Sequence, residues 1–162
     1  MEEHDEQAAN DSANDIAIVA VALRVPGARD PEQFWHNVRE GVESVRPYND
    51  EELTAAGVSS AELSNPNYVR AGAPLDGMDL FDAEFFGFGP KDAAIMDPQH
   101  RQFLECAWEA LERSGHVPSQ FGGAIGVFAG CGMGSYFAHN ILSNRDLVES
   151  VGLFLLRHTG ND

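Results

Sequence analysis

The chain has 162 residues, 43% of them hydrophobic, which is the length of one ordinary domain with a real core. Its 26 acidic residues against 10 Lys and Arg leave a formal charge of −16, which argues against nucleic-acid partners and against anionic membrane surfaces. Two cysteines are too few for a disulfide scaffold, and no apolar run approaches the ~20 residues that a bilayer span requires.

Residues 1–14 are acidic and lack aromatic and β-branched side chains, so they read as a disordered tail. With neither a basic n-region nor an apolar h-region they do not form a signal peptide, and the protein reads as soluble and cytoplasmic. Residues 15–162 follow as one unit. Ile16 to Ala22 is a continuous, β-branched apolar run, as expected of a strand covered on both faces. Gly27 turns the chain. Asp30, Pro31 and Gln33 carry helix-start chemistry, with Asp30 as N-cap and Gln33 able to complete a capping box. Phe34, Trp35, Val38 and Val42 follow at helical spacing, and Gly41 stands near the stop.

Residues 43–75 are rich in Pro, Asn, Asp and Gly and read as a long surface excursion with one short helix around Glu51–Ala56. Phe81, Phe85, Phe86 and Phe88 form an aromatic cluster, read as core or interface packing rather than a ligand box. Asp97 and Pro98 restart a helix that runs to Gly115 as its C′ residue. Phe103, Leu104, Ala107, Trp108 and Leu111 make its apolar stripe, while Glu105, Glu109 and Glu112 lie on or near the wet side. Ala124 to Ala129 reads as a second buried strand. Helices are expected from about Tyr136 to Asn140 and from Val148 to Leu156, with turn chemistry at Thr159 to Asp162. Strands alternating with helices predict parallel βαβ units and an α/β fold.

Gly130-Cys131-Gly132-Met133-Gly134-Ser135 lies between an expected strand and an expected helix. A dinucleotide fingerprint fails at its third glycine, where Ser135 stands. A nucleophile elbow built on Cys131 would need glycines where Ala129 and Met133 stand. A packing turn, where glycines let backbones approach, is the reading that remains. The six histidines show no metal-ligand spacing. Asp97, Gln99 and Arg101 resemble catalytic polar groups but serve better to cap and orient a helix start.

Four blocks occur in an order that identifies a family: DIAIVAVALRVPGARDPEQFWHNVREGVESV from Asp15, PLDGMDLFDAEFFGFGPKDAAIMDPQHRQFLECAWEALERSG from Pro74, the strand-like AIGVFA, and the glycine turn. They resemble the N-terminal part of the ketosynthase domain of modular type I polyketide synthases. His100 stands where that family usually has Gln, Val25 where it has Phe, and Leu23 where it often has Cys. The resemblance implies a thiolase-like, layered α/β fold of two similar halves, of which this chain holds most of the first.

It also implies the chemistry: decarboxylative Claisen condensation between an acyl-thioester and a malonyl-type extender. The acyl carrier protein brings the phosphopantetheine arm, and no other cofactor is implied. The nucleophilic cysteine and two histidines of the family lie beyond the point matching Asp162, so this chain alone is expected to be inactive. The implied partners are the remainder of the ketosynthase, the carrier protein and a second copy of the domain. With so acidic a chain, carrier contact is expected to use a local basic patch such as Arg39, Arg46 or Arg70. In the family, the residue aligned with Met133 contributes to the acyl-pocket wall, with Cys131 and Gly132 beside it. A non-catalytic, ketosynthase-derived interaction module is the alternative.

Overall fold

A computed structural model describes residues 15–132 and 134–151. The acidic tail, the end of the expected helix to Leu156 and the final turn lie outside the described residues.

Helix α1 spans Pro31–Glu40 and begins as expected. The Asp30 carboxylate accepts from the Gln33 N–H at 2.7 Å, and proline occupies the first turn, where its missing donor is not needed. The Gln33 side chain, however, accepts from the Arg29 N–H at 3.0 Å, one residue outside the box position. Gly41 ends the helix at φ 66°, the left-handed conformation that glycine adopts without strain. Before α1, Val25 and Ala28 exchange two backbone hydrogen bonds around Gly27, and Asn37 donates to the Gly27 carbonyl at 2.8 Å. The turn is thereby fastened to the helix that follows it.

The excursion between residues 43 and 75 is more ordered than its composition suggests. Strands β1 (Arg46–Pro47) and β2 (Ala71–Gly72) pair antiparallel and close its base. Between them lie α2 (Asp50–Ala55) and α3 (Ser60–Leu63), each started by a full capping box: Asn49 with Glu52, and Ser59 with Glu62. Helix α2 matches the expected short helix, while α3 adds a second that the composition does not suggest. Arg46 pairs with Glu52 at 2.9 Å, and Arg70 pairs with Asp50 while donating to the Leu63 carbonyl at 2.7 Å. Arg46 and Arg70 therefore tie the excursion together, and Arg39 sits apart, in the last turn of α1.

The Asn49 backbone N–H, and then Arg46, hold the Glu52 carboxyl below its ordinary value of 4.5; the Ser59 hydroxyl and then its N–H do the same for Glu62. Because both folded values are depressed, the caps contribute fully above the ordinary carboxylate range and lose their contribution as pH falls through the lowered values. In an NMR titration, both carboxyl carbons are expected to show midpoints below 4.5. Glu52→Gln should remove the acid-sensitive part of the α2 signal, and a midpoint at the ordinary value would mean the box is open in solution.

Helix α4 (Pro90–Ile95), also absent from the sequence-based expectation, precedes the long α5 (Pro98–Ser114). Helix α5 starts and stops as expected, with Asp97 accepting from the Gln99 N–H and Gly115 at φ 70°. The phenylalanine cluster packs against it. Phe81 stacks on Phe86 at 5.2 Å, Phe85 meets Phe86 edge-on at 4.9 Å, and Phe85 meets Trp108 edge-on at 4.8 Å. These are the offset and edge-to-face geometries of packed rings. Glu109 corrects its wet-side assignment: it pairs with Arg24 at 2.7 Å and with Arg113 at 2.9 Å, and Arg113 reaches Glu32 of α1 at 3.4 Å. This chain of charges joins the residue 24–29 turn, α1 and the C-terminal half of α5. A 3-10 turn (Pro118–Gln120), a π-turn (Phe137–Ile141) and α6 (Arg145–Val151) complete the elements.

The largest departure concerns the strands. Neither 16–22 nor 124–129 forms a strand, so no parallel βαβ unit exists among the described residues, whose one sheet is the short β1–β2 pair. Among the described residues, no backbone hydrogen bond joins residues 16–22 to another segment. Ile16 is 94% and Ile18 83% exposed, and Phe128 is 99% exposed. The residue types are those of buried central strands, but a strand exists only through ladder bonds to its neighbours, and none is supplied here.

Candidate functional site: the glycine turn and the start of helix α5

The polar residues that open α5 meet the glycine turn. Asp97 caps the helix, and Gln99, in its first turn, reaches across the chain so that its Oε1 accepts from the Gly132 N–H at 2.9 Å. A Cβ on Gly132 would lie 3.2 Å from that oxygen, so glycine lets the two segments close to this distance. From the other side the Tyr136 hydroxyl donates to the Ala94 carbonyl at the end of α4, at 3.0 Å. Arg101 faces the Tyr136 ring, its guanidinium carbon 5.9 Å from the ring centre. The turn is thus pinned at two points to the α4–α5 junction, which is distant in sequence.

Of the three residues expected to line a pocket, Cys131 and Gly132 are exposed and lie on this pinned turn, and Met133 lies outside the described residues. Cys131 has no hydrogen-bonded histidine among the described residues, such as a base that activates a thiol would provide. Cys106, on α5, is partly buried, and burial pushes its thiol above the ordinary value, with Arg24 opposing. The turn leads into a π-turn in which the Leu142 N–H bonds the Phe137 carbonyl, where a regular helix was expected. No strand precedes it, which removes the strand–loop–helix frame that a dinucleotide site requires.

Gln99→Ala is expected to free the Gly132 amide for rapid hydrogen exchange and to lower stability by about 1 kcal/mol. Gln99→Glu, which keeps the acceptor, should retain the protection. Unchanged exchange in the alanine variant would show that the turn is held by other means.

A second feature, not legible in the sequence, is an open cleft of about 400 Å³ lined by Arg24, Arg29, Asp76, Asp82, Gln102 and Glu105 among others. Its two arginines face three carboxylates, so no single charge dominates it. It includes neither Cys131 nor Gly132.

Residues 13–157 match the family described as beta-ketoacyl synthase, N-terminal domain. The chain belongs to this family. It is 51% identical over 133 residues to a component of the phenolphthiocerol/phthiocerol polyketide synthase of Mycobacterium tuberculosis, covering 82% of this chain and 9% of that protein. It is 40% identical over 121 residues to polyketide synthase PksN of Bacillus subtilis, covering 75% of this chain and 2% of that protein. Among solved structures, ketosynthase twelve of the bacillaene polyketide synthase from Bacillus amyloliquefaciens is 50% identical, with a TM-score of 0.53 over 59% of this chain and 17% of its own. The oxazolomycin ketosynthase domain from Streptomyces albus JA3453 is 35% identical, with a TM-score of 0.50 over 59% of this chain and 17% of its own.

The chain is therefore an N-terminal ketosynthase segment of the polyketide synthase type, and its α/β, thiolase-like fold class stands. It spans less than a fifth of the solved ketosynthases and less than a tenth of these two curated relatives. Helices and their caps form among the described residues, whereas the two expected buried strands do not. No helix among the described residues is long and apolar enough to cross a membrane.

Proposed function

We propose that this chain supplies the N-terminal portion of a condensing ketosynthase and takes part in catalysis only with the remainder of the domain, on the same or a second polypeptide. The observation that carries this is the exposure of two runs whose composition demands burial, residues 16–22 and 124–129. The α5 stripe is similarly half-open, with Phe103 and Trp108 both exposed. Apolar segments left this bare mark surface that another part of the fold covers.

In the completed domain, an acyl group on the nucleophilic cysteine would be attacked by the carbanion released when a malonyl unit on the phosphopantetheine arm of an acyl carrier protein loses carbon dioxide. The new carbon–carbon bond forms as the cysteine thiolate leaves. On this reading residues 130–134 stand beside the acyl chain, Met133 contributes to the pocket wall, and a second copy of the domain completes the assembly. Exposed, ladder-free strand segments favour this over a self-sufficient interaction module, which would have closed its own core.

The test is co-expression with a polypeptide carrying the rest of the ketosynthase domain from the M. tuberculosis relative, followed by size-exclusion with light scattering and a condensation assay on carrier-bound malonyl thioester. The chain alone is expected at background and the pair is expected to form product. A lone 17.6 kDa species that is monodisperse, melts cooperatively and captures no second polypeptide would instead establish the non-catalytic module.

A further inference from the structure

Arg101 is the one buried charged residue among the described residues, with 8% of its surface exposed. Its Nε has no hydrogen-bond partner, and neither an ion pair nor a hydrogen bond involves its side chain among the described residues. The Tyr136 ring lies 5.9 Å from its guanidinium carbon, the outer limit of a cation–π contact. Every other feature of the helix start is satisfied: Asp97 caps, Gln99 holds Gly132, and Tyr136 bonds Ala94. Elsewhere in the chain Arg24, Arg46, Arg70, Arg113 and Arg145 each pair with a carboxylate, and all five are more exposed than Arg101. A guanidinium whose Nε is buried without a partner is unfavourable, and it persists where a partner supplies the missing acceptor.

We propose that Arg101 is a docking cation, and that its partner is a carboxylate side chain from the part of the ketosynthase that completes this fold. A guanidinium presents a planar fork of donors that a carboxylate meets in bidentate fashion, so geometry as well as charge favours this occupant. The site is placed to matter, because Arg101 lies two residues after Gln99, which holds Gly132, and faces the ring of Tyr136, which follows the glycine turn. Closing the charge pair would seat the completing segment against that turn. The inference rests on the reading of the chain as part of a larger ketosynthase, and Arg101 acts here as a positioning residue.

The experiment compares wild type, Arg101→Met and Arg101→Lys, each alone and co-expressed with the rest of the ketosynthase domain of the M. tuberculosis relative. Methionine keeps the apolar stem and removes the charge. For the chains alone, Arg101→Met is expected to melt at or above the wild-type temperature, because an uncompensated charge has been removed. In the pair it is expected to bind the completing polypeptide about 100-fold more weakly, since the partner carboxylate is left buried and alone. Arg101→Lys should recover part of that affinity. If wild type captures the polypeptide and Arg101→Met captures it equally well, the inference is wrong. It is also wrong if Arg101→Met alone melts several degrees lower, since the charge would then be satisfied within the chain. A stabilisation of the lone wild-type chain by inorganic phosphate, absent in Arg101→Met and unaccompanied by any loss of capture, would assign the site to a free anion and overturn the proposal. Failure of wild type itself to capture the polypeptide would count against the proposed function rather than against Arg101.

Discussion

Ile141→Ala is expected to lower the stability of this chain by about 3 kcal/mol, a drop in melting temperature of about 6–12 °C for a chain of this size. Ile141 is the one fully buried large side chain among the described residues, with 0% of its surface exposed. It closes the π-turn that follows the glycine turn, and α6 packs against that turn. Most large apolar residues of the chain remain partly open, so this small region holds a disproportionate share of the closed packing. Truncation to alanine removes the transfer contribution of three carbons and leaves a cavity that the five-residue turn is poorly able to collapse around. Ile141→Val should lose only about 1 kcal/mol. Thermal melts by circular dichroism read both, and an alanine variant within a degree or two of wild type would show that the turn is not packed in solution.

Gly27→Ala is the second large effect, expected at about 2 kcal/mol or more, from two independent sources. Gly27 sits at φ 78°, a region where a Cβ costs about 1–2 kcal/mol for an L-residue. An added Cβ would also lie 2.3 Å from the Ser44 Oγ and 3.3 Å from the Ser44 Cβ, so rotating the hydroxyl away does not fully clear the site. The Gly27 carbonyl accepts from Asn37 as well, so a shifted turn strains its fastening to α1. A double-mutant cycle separates the sources. Ser44→Gly should recover the steric part of the Gly27→Ala loss and leave the backbone part. Full recovery would refute the backbone contribution, and no recovery would refute the clash.

Comparing the helix starts with the glycine turn shows where local reading succeeds. Asp30 and Pro31, Asp97 and Pro98, and the stops at Gly41 and Gly115 were legible, because a cap is decided by atoms within three or four residues of one another. The excursion was only half legible. Its Pro, Asn and Asp content hides two capping boxes, and the Arg46–Glu52 and Arg70–Asp50 pairs that order it depend on the excursion first folding back on itself. The glycine turn was correctly set apart as a packing turn, yet the partner that makes it one, Gln99, lies on a different element. Only its place in the family's Asp-Pro-Gln run hinted at a role, and that hint concerned the helix start.

Within its own 162 residues, then, the sequence determined the family, the helix starts and stops and the aromatic packing. The tertiary structure alone decided that residues 16–22 and 124–129 pair with no other described segment, that Glu109 and Arg113 link α5 to α1 and the residue 24–29 turn, and that Arg101 is buried with no counter-charge among the described residues. The reason is physical. Capping and helical periodicity are short-range, whereas a strand ladder, an ion pair between elements and the burial of a charge each depend on which distant segments are present to meet them.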